Sequence, residues 1–598
     1  MPSRHRHPHL AAARRILAPG RLRALIRASE LGLVAAGAVV GAIAGLVVTG
    51  MSLTTQLMHQ LLFQLAPGDR LSAMTDLAHK LTVLAPVAGG LLVGLMIIGI
   101  SRWRKRPMID PIEANALHGG RMSIIDSIIL TVQNIISNGF GASVGLEAGY
   151  TQISSGIASR LGLAAEMRRS DLRTLVGCGA AAAIATAFNA PLTGSFYAFE
   201  LIIGSYSIAN LTPVVVAALS GTLVARSLVG SAFLIDVGEF GVVVNADYVP
   251  ALVLGIFCAG FGILIMQGVT LVETLARRSR VPAPLRPVLG GAAVGALALI
   301  SPQILSSGHG ALHLNLDTTA TAGSLLAVIA MKSLASAISI GSGFRGGLFF
   351  ASLLLGALFG KLFALVAPHV FASATLTPVI YAIVGMSALA VAVIGGPLTM
   401  TFLALEMTGD FPITALVLVA VIASSITVRK TFGYSFATWR FHLRGESIRS
   451  AHDVGWIRTL TVGRLMRADV RTIRSDTTIA VFRRNFPLGS TQRVVALDQS
   501  ERYAGIVLVP EAYSTDLDDA AATTTTIDGL LRYRNDFLQA HMNAKEAAAM
   551  FDKTESEALA VVDNPVSRKV IGLLTESHTL RRYSEELDRR RRELSGEL

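Results

Sequence analysis

Phe188-Asn-Ala-Pro-Leu-Thr-Gly-Ser-Phe-Tyr-Ala-Phe-Glu200 and Ile394-Gly-Gly-Pro-Leu-Thr-Met-Thr-Phe-Leu-Ala-Leu-Glu406 align without a gap and share Pro-Leu-Thr, Phe, Ala and Glu. Pro191 and Pro397 are 206 residues apart, as are Glu200 and Glu406. Upstream, Val176-Gly-Cys-Gly-Ala pairs with Val384-Gly-Met-Ser-Ala, and Asn138-Gly-Phe-Gly with Ser342-Gly-Phe-Arg. The spacing predicts two homologous halves, over about 30–235 and 245–440. Gly/Pro-interrupted apolar segments in corresponding places of two halves point to a binding site near the membrane midplane, with half-helix N-termini aimed at the substrate.

The surrounding composition requires a membrane. Of 598 residues 52% are hydrophobic and 15% charged, with Arg and Glu crowded into the first 30 and last 150. A soluble chain cannot hide that much apolar surface. Apolar runs near 31–51, 83–100, 123–136, 211–230, 249–272, 287–301, 324–340, 348–367, 376–394 and 412–428 are broken by Gly and Pro. Several are too short to cross about 30 Å of hydrocarbon alone, and broken helices persist there only when buried in protein or lining a polar cavity. That pattern reads as a transporter.

The net charge of +12 does not read as a nucleic-acid surface, because the basic residues flank apolar spans. Segment 1–29 holds seven arginines and no acid, and the clusters Arg168/Arg169/Arg173 and Arg277/Arg278/Arg280/Arg286 repeat the pattern. By the positive-inside rule these are cytoplasmic flanks, which predicts a multi-pass chain with both termini in the cytoplasm. The Ala- and Arg-rich composition leans toward a prokaryotic inner membrane. Segment 1–29 lacks a secretory cleavage pattern and is expected to be retained. Cys178 and Cys258 lie in apolar stretches, which excludes a disulfide framework and a cysteine metal site. Without an HExxH or P-loop signature, no metal, no catalytic residue and no ATP-driven step are expected. The chain reads as a non-enzyme driven by ion gradients.

Residues 444–598 change to a soluble α/β character. Val494–Leu497, 505–509, 558–562 and 570–574 read as strands with helices between them. Residues 516–526 read as a linker between two halves of this domain, and 581–598 as a charged helix or tail.

Two glycine-rich stretches carry the candidate chemistry. Gly139-Phe-Gly-Ala-Ser-Val-Gly-Leu-Glu-Ala-Gly149 is a turn leading into a helix, with Glu147 near its start. Glycines let backbone N–H groups approach a ligand, and helix N-termini favour anions. A carboxylate at that mouth occupies the anion position when ionised and leaves it when protonated, so Glu147 reads either as a gate or as a first-turn glutamate stabilised by the dipole. Ala337-Ile-Ser-Ile-Gly-Ser-Gly-Phe-Arg-Gly-Gly-Leu-Phe-Phe350 is the counterpart. There Gly346 and Gly347 bring the amides of Leu348 and Phe349 toward a cavity, or else serve close helix packing.

On these residues the chain from about 30 to 440 resembles the CLC chloride channel and transporter family. The resemblance implies an all-α membrane domain of two inverted repeats with broken helices, a homodimer with one pathway per subunit, and chloride or another small anion as cargo, in some members exchanged for protons. The family's gating motif Gly-Lys/Arg-Glu-Gly-Pro is similar to Gly145-Leu-Glu147-Ala-Gly149, with the glutamate kept and the basic residue and proline replaced. Its Gly-x-Phe-x-Pro motif resembles Gly347-Leu348-Phe349-Phe-Ala351, which carries anion-coordinating amides over to Leu348 and Phe349; Lys332 strengthens that placement. Tyr434 in Phe432-Gly-Tyr-Ser matches the tyrosine that donates to the anion, its other reading being an interfacial anchor. In the first motif Pro107 stands where a coordinating serine is usual. Glu200 aligns with a structural glutamate and Leu201 with the family's proton-transfer glutamate, so channel and antiporter stay open; fluoride is a second cargo. Segments 460–513 and 525–583 resemble tandem CBS domains, which often bind adenine nucleotides; Thr575 keeps that signature while His578 replaces its aspartate. A packing or dimerisation role is the stronger expectation there.

A different class is represented by Gly141-Ala-Ser143-Val-Gly145, which fits the Gly-x-Ser-x-Gly pattern of serine hydrolases. The candidate bases His118, His309 and His313 sit in no motif. The sequence leads to the expectation of anion transport gated by Glu147.

Overall fold

The computed structural model describes residues 30–74, 83–103, 108–230, 243–317, 321–371, 377–443, 460–513, 522–582 and 585. The basic segment 1–29, Pro107 and the tail beyond 585 lie outside them. The chain divides into two compact units, Met1–Asp453 and Val454–Leu598. The expected boundary near residue 444 lies among residues outside those described.

In the first unit the helices are α1 (Glu30–Phe63), α2 (Ala85–Trp103), α3 (Pro111–Leu117), α4 (Ile124–Gly139), α5 (Glu147–Ala164), α6 (Arg169–Phe188), α7 (Pro191–Tyr197) and α8 (Ile208–Val229). The second half follows with α9 (Tyr248–Arg278), α10 (Arg286–Ala298), α11 (His309–Asp317), α12 (Ala322–Ser342), α13 (Phe349–Val370), α14 (Pro378–Ile394), α15 (Pro397–Thr408), α16 (Phe411–Thr431) and α17 (Phe436–Leu443). Among the described residues eight helices are long and apolar enough to cross a membrane. The 34 residues of α1 span about 51 Å, more than the hydrocarbon core requires, so α1 crosses tilted or projects beyond it.

Two elements depart from the sequence reading, while the helix expected to start near Glu147 is present as α5. Helix α6 is absent from the apolar runs because its inward face is built from Gly, Ala and Thr, and it opens with Arg169, Asp171 and Arg173. Most of α6 is nevertheless buried, since small side chains let neighbouring helices close on it. Tyr197 leads directly into a π-helical turn, Ala198–Ile203.

Reciprocal contacts relate the two halves. A Cβ on Gly90 would lie 2.2 Å from Pro287 O, and one on Gly291 would lie 2.1 Å from Pro86 O. Only glycines at both places let α2 and α10 touch backbone to backbone. The flanking Pro86-Val-Ala-Gly-Gly and Pro287-Val-Leu-Gly-Gly are a further stretch of the internal repeat.

The Pro-Leu-Thr…Glu repeat has an equally direct structural meaning. Pro191 and Pro397 begin α7 and α15, where proline's missing N–H costs nothing. The next donors need an acceptor. Glu406 accepts from Leu192 N at 2.8 Å, Thr193 N at 2.8 Å and Thr193 Oγ1 at 2.7 Å. Glu200 accepts from Leu398 N at 3.0 Å, Thr399 N at 2.9 Å and Thr399 Oγ1 at 2.7 Å. Each half thus caps a helix of the other, and both carboxylates act structurally.

The second unit has α18 (Val462–Leu465), β1 (Thr472–Arg474), α19 (Ile479–Asn485), β2 (Arg493–Leu497), β3 (Tyr503–Leu508), β4 (Leu538–Gln539), α20 (Ala544–Thr554), β5 (Ala558–Val562) and β6 (Val570–Thr575). It contains two three-stranded sheets of identical order, each with one parallel and one antiparallel pair. The four expected strands are present; β1 and β4 are too short to show a period. The expected linker needs correction at its end, because Thr526 bridges Thr478 and Thr525 O accepts from Ile479 N. Those residues belong to the packed first half.

Candidate functional site

The two glycine-rich loops meet. Gly145 N donates to Gly347 O at 2.9 Å, and Gly347 N to Gly145 O at 3.2 Å, a small antiparallel bridge joining the halves. From it α5 and α13 depart, with Leu146 and Leu348 as N-caps. In α13 the first helical bond runs from Ser352 N to Leu348 O, so the N–H groups of Phe349, Phe350 and Ala351 have no partner within the helix.

Two asparagines on one face of α4 hold the first loop. Asn134 Nδ2 donates to Gly145 O and to Arg345 O, both at 3.0 Å, while its Oδ1 accepts from Gly149 N at 2.9 Å. Asn138 Nδ2 donates to Val144 O at 2.6 Å. The signal that could have found this clamp is their spacing of four on a helix face that is polar throughout, with Ser127, Thr131 and Ser137 beside them. Arg345 N is bound by Ser137 Oγ at 3.1 Å, which fastens the second loop to the same helix.

Glu147 is 4% exposed and folds back over Gly145: a Cβ there would lie 1.9 Å from its Oε2. That oxygen has no hydrogen-bond partner among the described residues. A carboxylate oxygen buried without a donor is costly, which marks the place as one the side chain shares with something else. Glu147 lines a cavity of about 180 Å³ together with Ser52, His59, Arg70, Tyr150 and His309. Beside it Lys332, fully buried, donates to Ile304 O at 3.0 Å and Ser306 O at 2.8 Å. Its Nζ is thereby held within electrostatic reach of Glu147.

The other expected residues distribute as follows. Gly145, Gly149, Gly346, Gly347, Leu348, Phe349 and Glu147 are brought together. The Tyr434 hydroxyl is 3.2 Å from His442 Nδ1, with its ring stacked on His442 and tilted on Trp439. The tyrosine ring packed on Phe349 is that of Tyr197, at 6.1 Å between centroids. Leu201 lies in the π turn, facing Gly395. At the start of α3, Asp110 Oδ1 accepts from Glu113 N at 2.9 Å. Ser143 Oγ bonds Ser336 Oγ at 3.0 Å, and its N–H is held by Ser339 Oγ. His309 bonds Ser307 and stacks on Phe350. In the second unit Thr575 ends β6, and its carbonyl accepts from Thr579 Oγ1.

Two interlocked halves of broken helices, meeting at glycine loops around a buried carboxylate, define a membrane transport protein. The chain belongs to the voltage gated chloride channel family, whose model matches residues 89–429. It is similar to a putative chloride channel protein ClcB-like from Ralstonia nicotianae, 31% identical over 65% of this chain and 94% of that one. Among solved structures it resembles a slow cyanobacterial Cl⁻/H⁺ antiporter at 25% identity, covering 69% of this chain and 97% of the other, with a TM-score of 0.61. The fold is also that of a eukaryotic CLC transporter, at 19% identity and a TM-score of 0.57 over 91% of this chain.

Proposed function

We infer that this chain carries chloride across a membrane through a pathway at the Gly145–Gly347 junction, gated by Glu147. The observation that carries this reading is the buried Glu147 carboxylate, whose Oε2 has no hydrogen-bond partner among the described residues, beside the first-turn amides of α13, which have none within their helix. An ionised carboxylate there holds the anion's place; protonated or displaced, it yields it. The amides of Leu348 and Phe349 supply partial positive charge without a trapping full charge, and conduction needs binding weak enough to leave.

Exchange for protons is the form of transport we favour, because the gate is itself a proton acceptor and one of the solved structures the chain resembles is that of a Cl⁻/H⁺ antiporter. The protein works as a homodimer in a prokaryotic inner membrane with both termini cytoplasmic. It is not an enzyme. Its C-terminal unit packs or dimerises as a CBS pair, with Thr575 the contact for any adenine nucleotide. The test is anion flux from proteoliposomes under an imposed proton gradient, with voltage clamped and no chloride gradient. Uphill chloride establishes exchange, and passive chloride flux alone a channel. Glu147→Ala should abolish the pH dependence of flux. Its retention would reject the gate.

A further inference from the structure

We propose that the corner of the membrane unit where the turn after α3 meets the end of α5 and the start of α6 binds the headgroup of an anionic phospholipid, held by Arg121, Arg160 and Arg169.

The three arginines come from three elements, and the backbone brings them to one turn. Residues 118–123 join α3 to α4. Ser159 Oγ donates to Gly120 O at 2.7 Å and accepts from Met122 N at 2.9 Å, so α5 fastens the turn on both sides of Arg121 through the residue next to Arg160. From α6, Arg169 lays its Cδ and Nε across Gly119, where a Cβ would have no room, and Gly120 rests on the backbone of Leu172 and Arg173. Both glycines have positive φ, 61° and 82°, so a side chain at either place would meet backbone strain as well as crowding.

All three arginine side chains are exposed, and among the described residues none of them enters an ion pair. Acids on the adjoining elements are turned to other groups: Glu113 faces His118 at 3.9 Å, and Asp171 Oδ1 accepts from Ser170 Oγ at 3.2 Å. Like charges gathered at one turn repel one another, and an anion from outside the chain relieves that repulsion.

The surface beside the corner identifies the anion. Helix α4 turns its polar residues inward and leaves Ile125, Ile128 and Val132 exposed in a row, three and four residues apart, starting one turn from Arg121. Leu161 and Leu163 are exposed next to Arg160. A ligand with a phosphate head and hydrocarbon chains satisfies both surfaces, its head at the arginines and its chains along the apolar strip. A free phosphate would leave the strip uncovered. Arg160 lies about 20 Å along α5 from Glu147, so the site is separate from the gate. It braces the far ends of the two helices that carry the Asn134–Asn138 clamp and Glu147.

The experiment is thermal melting of the full chain in detergent with added phosphatidylglycerol, phosphatidylcholine or glycerol phosphate. It compares wild type, the triple variant Arg121→Gln/Arg160→Gln/Arg169→Gln, Arg121→Gln alone, and Arg278→Gln from the other basic cluster. Phosphatidylglycerol should raise the wild-type melting temperature, whereas phosphatidylcholine and glycerol phosphate should leave it in place. At roughly fivefold per arginine near an anionic headgroup, the phosphatidylglycerol concentration that gives half the rise should increase about 100-fold in the triple variant and about fivefold in Arg121→Gln, and stay within about twofold in Arg278→Gln. Arg121→Gln, on a turn held by its backbone, keeps the test available if the triple variant does not fold. An unchanged response in Arg121→Gln and the triple variant, or an equal loss in Arg278→Gln, overturns the site. An equal rise with phosphatidylcholine shows that the arginines select no headgroup, and an equal rise with glycerol phosphate shows a phosphate site without a lipid; either overturns the inference.

Discussion

Gly145→Ala separates the position of the gate from its chemistry. The new methyl carbon would sit 1.9 Å from Glu147 Oε2 and 2.8 Å from its Cδ, against an ordinary contact of about 3.5 Å. The carboxylate must therefore retreat by about 1.6 Å. Gly145 needs no left-handed backbone, so the substitution leaves the loop conformation accessible. What moves is the end of a flexible side chain. Staying near its present place would hold two torsions off their staggered wells, at about 0.5–1.5 kcal/mol each, so occupancy of that place falls by roughly 5- to 150-fold. The variant keeps a titratable glutamate yet should behave as an opened pathway: in proteoliposomes chloride flux at alkaline pH rises toward the Glu147→Ala level and its pH dependence flattens. Gly347→Ala is the control, since its Cβ would meet nothing closer than 3.6 Å. Wild-type pH-dependent flux in Gly145→Ala would refute the argument that the folded-back carboxylate is the closed state.

Two further outcomes are expected. Glu200→Gln and Glu406→Gln should each lower stability in detergent by about 1–3 kcal/mol, since each removes a charged cap from a helix start and turns an N–H2 group toward one of the two backbone donors it served; melting curves that spare one variant and collapse the other would break the reciprocity. In the second unit, the Ser567 hydroxyl, followed by the N–H groups of Asn564 and Lys569, holds the Asp563 carboxyl below its usual value. That stabilisation is complete above the ordinary aspartate value and is lost as pH falls through the lowered one, so Asp563→Asn should speed hydrogen exchange at Lys569 N–H at neutral pH and remove its acid sensitivity. Equal exchange in both forms would deny the carboxylate this role.

Sequence revealed most where a motif recurs. The repeat around Pro191 and Pro397, the two glycine loops and the apolar spans were all readable, because each imposes a local composition. Helix α6 was not, since hydropathy scores side chains whereas this helix is buried by their smallness. Tyr434 matched by order in the chain, but order does not say what a ring packs on, which here is Trp439 and His442. The clamp by Asn134 and Asn138 was legible only as two polar residues four apart. The partner of Glu406 was beyond any local pattern, because it is 214 residues away.

That distance has a consequence for biosynthesis. At roughly 5–20 residues per second, about 10–40 s separate the synthesis of Leu192 from that of Glu406. During that interval α7 exists in the bilayer with its first amides unsatisfied, in a solvent that offers them no water. The first half is thus delivered as an unfinished substrate for its own second half, and truncation after residue 235 should yield a product handled by membrane quality control rather than a smaller transporter.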